Sequence, residues 1–291
     1  MKRYFSLLLP AAFLLFLLVP SVEAQVVGSN DDWGFWTNVE GETKLATGLH
    51  MSVEAGYRLR DVFSATDRAS AGVSFSYKNK NVAPWLKVDA GYLFIYKNNP
   101  SETNIKYTTE DIPKHMNVDD AYWGARHRSF ASASASTKVG RFKLSLRERY
   151  QFTYTAPASC NRTRYYYNPL SVLFPDLEEW YLITDTNDPD CSYMVDDKKA
   201  KTDQKLRSRL AASYDIPKCK FEPFAEVEAF NDIDTQFSLA KMRYTVGTDY
   251  KINKHSKLSA YYRYQVSYDG DDIYDDEIGG NIIGLEYSFD F

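Results

Sequence analysis

The chain has 291 residues, of which 25% are charged and 15% aromatic, and it carries a formal net charge of −4. That mild acidity argues against a nucleic-acid-binding surface. Mean hydropathy is −0.46, and no segment after the first turns of the chain is apolar for helix-spanning length, which excludes a helical membrane protein but not a barrel, whose alternation halves the hydropathy.

Met1-Lys2-Arg3 forms a short basic region. Tyr4 to Val19 is apolar apart from Ser6 and Pro10, and Val22-Glu23-Ala24 supplies a small-x-small cleavage site before Gln25. This reads as an export signal over 1–24. The apolar run is short for a spanning helix, which needs roughly 20 residues, and no Cys follows it as a lipoprotein would require. Removal of Lys2, Arg3 and Glu23 takes the net charge from −4 to −5. Residues 25–291 then read as a single domain with no linker.

From there period-two alternation recurs in stretches suited to a tilted spanning strand. Strands are expected at 33–43, 47–60, 68–78, 84–97, 128–139, 141–155, 204–216, 220–230, 239–252, 257–268 and 281–291. In the 47–60 stretch Leu49, Met51, Val53, Ala55, Tyr57 and Leu59 oppose His50, Ser52, Glu54, Gly56, Arg58 and Arg60. Glu148 breaks the pattern on the apolar side of 141–155, which suggests a bulge or an interfacial position. Because single-chain bacterial barrels have even strand numbers, the expectation is an all-β, antiparallel up-and-down transmembrane barrel of ten or twelve strands, twelve favoured. These stretches number eleven, so either a strand is missed in 98–127 or 156–203, or the 33–43 segment pairs differently from a regular first strand.

Connections alternate between short ones near 44–46, 79–83, 140, 217–219 and 253–256 and long ones at 98–127, 156–203 and 269–280. Short turns face the periplasm and long loops face outward in such barrels. Cys160 and Cys191 flank one long connection, and an oxidising compartment permits a disulfide between them; Cys219 is left over. No CxxC occurs and no His is close by, so no metal site is expected. The chain closes on alternating Ile283, Leu285, Tyr287, Phe289 and Phe291. A terminal aromatic of this kind resembles the signal read by the outer-membrane assembly machinery. A lipocalin-like barrel would turn the same apolar face inward. The export signal, Phe291, tyrosine-rich strand ends and lopsided loops favour the membrane version.

Asp32-Trp-Gly-Phe-Trp36, Arg147-Glu-Arg-Tyr150, Pro223-Phe-Ala-Glu-Val-Glu-Ala-Phe230, Arg243-Tyr-Thr-Val-Gly-Thr-Asp-Tyr250 and Tyr261-Tyr-Arg-Tyr264, in this order and spacing, resemble the exported barrel family known as domain of unknown function 2490, common in Bacteroidota. The resemblance implies an outer-membrane β-barrel. It implies no activity, cofactor or catalytic residue.

Charges on the polar phase are the functional candidates. Arg58, Arg60, Arg147, Arg149, Arg207, Arg209, Arg243 and Arg263 share it with Glu54, Glu226 and Glu228. At membrane depth such charges must be paired or hydrated. They either interlock across a sealed lumen or line a water path that selects anions or zwitterions. The expected role is a narrow pore or solute-binding channel without enzymatic activity. The alternative is a sealed structural or adhesion barrel acting through its outer loops. A third reading, a lipid-modifying hydrolase, rests on His127 with Ser129 or Ser132 near the outer leaflet. Arg162, Arg164 and the tyrosines at 165–167 invite a ligand site or simple loop packing. Asp269 to Glu277 is acidic but lacks the spaced ligands of an EF-hand. Expected partners are outer-membrane lipids, lipopolysaccharide and the barrel assembly machinery. The expected state is a monomer binding no nucleic acid.

Overall fold

The alternating pattern folds into strands throughout. The computed structural model describes residues 33–79, 81–172, 177–185, 188, 190–268 and 280–291; the expected leader and the acidic run at 269–277 lie outside the described residues. The strands are β1 (Trp33–Ala46), β2 (Leu49–Arg60), β3 (Ala65–Tyr77), β4 (Leu86–Asn99), β5 (Glu102–Tyr107), β6 (Pro113–Asp119), β7 (Tyr122–Val139), β8 (Phe142–Thr155), β9 (Ala158–Tyr167), β10 (Trp180–Tyr181), β11 (Tyr193–Lys198), β12 (Lys201–Tyr214), β13 (Phe221–Asp232), β14 (Ser238–Lys251), β15 (Ser256–Ser267) and β16 (Gly280–Asp290).

Among the described residues, eleven strands close one barrel in the order β1-β16-β15-β14-β13-β12-β8-β7-β4-β3-β2. The expected ten or twelve is therefore corrected to eleven. In an antiparallel wall strand direction alternates, so the first and last of an odd set run the same way. The seam is accordingly parallel, from Trp33 beside Asn281 to Glu42 beside Asp290. An even number is needed only if every ladder is antiparallel. The segments 98–127 and 156–203 do contain further strands, but these leave the wall. β5, β6, β9 and β10 form a separate sheet, with β11 also paired to β9, at the end of the barrel that carries the long connections.

The wall is inverted relative to a water-soluble barrel. Val53 is 49% exposed, Phe75 47% and Val246 56%, whereas the inward Arg68 is 1% exposed and Gln265 is fully buried. This phase excludes the lipocalin-like arrangement. It is stable where the surrounding solvent is itself apolar. Near the short turns, Phe142 meets Tyr214 and Phe221 meets Tyr250; near the other end, Tyr96 stacks on Trp123 with ring centroids 4.9 Å apart. Inside, aromatic rings lie across glycines of the next strand: Phe130 over Gly91, Phe224 over Gly247 and Tyr261 over Gly284. A β-carbon at these glycines would occupy the ring's place, so small and large residues interlock across adjacent strands.

Glu148 sits mid-strand with no register shift in either ladder of β8. It is on the outer face, where Ser208 Oγ donates to Glu148 Oε2 at 2.6 Å; no bulge removes it from the apolar side. Cys160 and Cys191 are free thiols, which corrects the expected disulfide. The β9–β11 ladder sets Cys160 opposite Asp196 and Thr163 opposite Tyr193. Cys191 therefore lies beyond the Thr163 end of the ladder, roughly 16 Å along the strand from Cys160 at about 3.3 Å per residue, against the roughly 7 Å limit for bridging.

Candidate functional site: a charged lumen

Period-two phase points one side chain in two into the lumen, and register decides which of these meet. On β8 and β12 the inward positions pair arginine with arginine, Arg147 opposite Arg209 and Arg149 opposite Arg207. Like charges in direct cross-strand register repel, and the neighbouring strands supply the compensation. Glu228 on β13 is 6% exposed and lies 2.7 Å from Arg147, 3.0 Å from Arg207 and 3.5 Å from Arg243. Glu226 pairs with Arg209 at 3.3 Å, and Asp89 on β4 pairs with Arg149 at 3.3 Å. Glu226 and Glu228 are thus engaged by arginines as ion pairs.

Aromatic rings complete the network. The Arg58 guanidinium lies 3.7 Å from the centroid of Trp36, with Arg263 and Arg243 at 5.1 and 5.3 Å from the same ring. Arg243 and Arg207 also face Phe230, and Arg149 lies 4.0 Å over Phe130. Stacked guanidinium groups gain from the ring quadrupole, about 2 kcal/mol or more where desolvated.

These groups surround a cavity of about 550 Å³ whose walls include Glu54, Arg58, Arg147, Arg149, Arg207, Arg209, Glu226, Glu228, Arg243 and Arg263. Arg60 is placed elsewhere. It is buried at the end nearer the long connections, donating to the Asn98 carbonyl at 2.7 Å. Glu40 and Glu286 also line the cavity, although the sequence did not single them out. Both lie on the polar phase of their strands; what makes them part of the site is that β1 register sets Glu40 directly opposite Glu54.

The two ends of the lumen differ. A second cavity of about 330 Å³ shares Arg209, Glu226 and Tyr261 with the first, and a third of about 510 Å³ shares Lys143 and Glu222 with the second and reaches Gly140 and Arg141 in the β7–β8 turn. Toward the long connections the lumen is filled instead. Asp67, Arg68, Lys97, Arg126, Asp203, Lys205, Asp232, Lys241 and Gln265 are all buried there. Arg68 pairs with Asp67 at 2.7 Å and Lys205 with Asp203 at 3.2 Å.

Other candidates do not assemble as sites. His127 is on the outer face, its Nδ1 2.6 Å from the Tyr92 hydroxyl and its ring against Phe94 and Tyr154. Ser132 is buried on the inner face and donates to Asp89 at 2.6 Å. The two are separated by the wall. Ser129 shares the outer phase, but the contact made by His127 is to tyrosine.

In the outer sheet Arg162 forks onto Asp119 at 2.5 and 2.8 Å and also reaches Asp196. Lys198 bridges Asp119 at 2.5 Å and Asp196 at 3.0 Å. Hydrogen bonding from Arg162, together with Lys198, holds the Asp119 carboxyl down to about 2 despite its burial. Burial opposes the Lys198 charge, yet its bonds to the two carboxylates hold it above the ordinary lysine range. Burial pushes the Cys160 thiol up. Asp119, Cys160 and Asp196 bring donor atoms within 4.8 Å of one another, but both carboxylates already carry cations of the protein. Because neighbours alternate along β9, Tyr166 shares the face of Arg162 and Arg164 while Tyr165 and Tyr167 lie on the other. Arg162 is held by Asp119 and Asp196, and the Tyr166 hydroxyl donates to the Asp190 carbonyl at 2.8 Å.

Among solved structures, the chain is similar to the β domain of the Bordetella autotransporter BrkA, with 11% identity over 84% of this chain and 82% of that one and a TM-score of 0.44. It is also similar to an anion-selective porin from Comamonas acidovorans, with 10% identity, 84% and 83% coverage and a TM-score of 0.22, and to OmpT, an outer membrane protein of Vibrio cholerae, with 10% identity, 80% and 88% coverage and a TM-score of 0.19. Identity at this level says nothing of solute or activity. No curated protein matches the chain. The model of a family described as "Protein of unknown function (DUF2490)" matches residues 33–275, and the chain belongs to that family.

Proposed function

We propose that this chain is a non-enzymatic outer-membrane β-barrel whose lumen is shut at its outer end and holds a solute-binding chamber reached from the periplasm. The buried charged layer around Arg68, Lys97, Lys205 and Gln265 carries the reading. Its side chains expose almost no surface, in contrast to most of the charges around the cavities below. Membrane placement is supported by the apolar outer face and by aromatic residues near both ends of the wall. With the short turns in the periplasm, β16 ends there and Phe291 is presented to the assembly machinery. Its ring lies over Gly41 and its N–H donates to the Glu42 carbonyl at 2.9 Å. The leader is cleaved after Ala24, and the mature monomer contacts outer-membrane lipid and lipopolysaccharide.

Single-channel recording in a planar bilayer tests the closed lumen. The folded mature chain gives no conductance steps, and Arg68→Ala/Lys241→Ala, which thins the outer layer, gives discrete ones. Steady steps from the unmodified barrel would instead make it a pore.

A second reading, contact with an extracellular partner, is favoured by one face of the outer sheet. Ile105, Tyr193 and Val195 share that face through the β5–β6–β9–β11 register, and all three are exposed. Loss of surface binding to host or neighbouring-cell material in Tyr193→Asp/Val195→Asp cells, with barrel assembly intact, supports it; unchanged binding removes it.

A further inference from the structure

The chamber sorts its like-charged pairs by side. Glu40, Glu54 and Glu286 lie on β1, β2 and β16, with Arg58 and Arg263 stacked nearby on Trp36. Arg147, Arg149, Arg207 and Arg209 lie on β8 and β12, with Asp89, Glu226 and Glu228 paired to them. On β1 and β2, Glu40 and Glu54 face each other in register, and Glu286 on the adjoining β16 lies opposite Asn38, two residues before Glu40. Around the barrel, β8 and β12 are each five strands from β1, by the two opposite routes. They are therefore the strands facing β1 across the lumen, and they carry the Arg147–Arg209 and Arg149–Arg207 pairs. Both sets line the same 550 Å³ cavity.

Each pair places like charges side by side, which destabilises a ladder by roughly 0.2–1 kcal/mol. A barrel needing only to be filled has no use for that arrangement twice. The repulsion on the arginine wall is relieved by Glu228, Glu226 and Asp89. Glu40, Glu54 and Glu286 do not form a metal cage: the donor cluster that meets metal-ligand spacing among the described residues is Asp119, Cys160 and Asp196. The acidic wall is spread out, as suits an ammonium group with its three donors. The arginine wall presents forked donors suited to a carboxylate or phosphate.

We infer that the chamber binds a small zwitterion entering from the short-turn end, its cationic end against Glu40, Glu54 and Glu286 and its anionic end against Arg147, Arg149 and Arg209. This rests on the closed-chamber reading and adds the class of ligand. A field directed across the lumen orients a molecule carrying both charges and rejects one carrying a single sign, because a single charge leaves the other wall unmatched.

Calorimetric titration of the folded mature barrel in detergent, with trialanine as probe, tests it. Trialanine binds, and N-acetyl-trialanine and trialanine amide each bind at least tenfold more weakly. Glu54→Gln removes the penalty for acetylation and leaves that for amidation; Arg209→Gln does the reverse. If Glu54→Gln misfolds by circular dichroism, Glu286→Gln provides the same test. Equal binding of all three peptides, or no heat from any of them with a folded barrel, overturns the inference. The outcome is separable from the lumen test. A silent barrel that binds no peptide keeps the closed lumen and loses the zwitterion, whereas a conducting barrel that discriminates the peptides does the opposite.

Discussion

The outer and inner halves of the lumen are built from the same residue types and end in opposite states. In the outer half Arg68, Lys97, Lys205 and Asp232 are packed until almost no surface remains. In the inner half arginines and glutamates stand around a 550 Å³ space. Charge content is therefore not what opens or closes a barrel of this width. The arrangement of signs matters more. Where acids and bases alternate between near neighbours they collapse onto one another, as Asp67 does with Arg68. The inner half also forms such pairs, Arg147 with Glu228 at 2.7 Å, but there Arg147 beside Arg209 and Glu40 beside Glu54 set like charges in register, and that repulsion works against full collapse.

Glu228 is where the two regimes meet, and it offers the largest test. Glu228→Ala leaves Arg147, Arg207 and Arg243 around an empty centre. The expected loss is about 3–5 kcal/mol, read from urea unfolding of the lipid-reconstituted barrel. A loss below about 1 kcal/mol would mean that the arginine wall holds itself by stacking alone.

Packing beneath the chamber gives the next effect. Gly284→Val drives a side chain into the Tyr261 ring. Overpacking of this kind costs about 1–3 kcal/mol, and the variant should also lose volume in the chamber, read as weakened trialanine binding.

The outer sheet lies beyond this comparison and extends it, because its ion pairs are collapsed like those of the outer lumen. Asp119 is held at about 2, below the roughly 3.9 of an unfolded aspartate. A depressed carboxyl stabilises the fold fully above its unfolded value and loses that contribution as pH falls through its folded value. The sheet should therefore lose on the order of 2 kcal/mol between about pH 4 and pH 2. Hydrogen exchange of β6, β9 and β11 reads this directly, and Asp119→Asn should flatten the response.

The smallest effect has the opposite sign. Glu54→Gln removes one of two facing carboxylates, so stability should rise by about 0.5 kcal/mol even as the acetylation penalty disappears. A destabilisation of the size expected for Glu228→Ala would show that Glu54 belongs to the interlocked network and would erase the distinction between the halves.

The barrel strands were legible because alternation is a local property. Residues such as Val53 and Tyr57 against Ser52, Glu54 and Arg58 announce a two-faced strand without reference to any partner. The polar phase of each strand was readable for the same reason, whereas which of its charges surround the cavity, and that Arg60 lies apart from it at the end of β2, came from the structure. The strand number was not, because evenness assumes an antiparallel seam, and only closure brings Trp33 beside Asn281. The cysteines misled because both flank one long connection, while the β9–β11 register holds them far apart.

What the sequence determined by itself was which side of each strand is apolar, since that is written at every second residue. What only the tertiary structure decided was which charges meet. Glu40 beside Glu54, Arg147 beside Arg209, and the placement of one pair across from the other are products of register, shear and closure. Those depend on the whole ring of eleven strands and on no single segment of the chain.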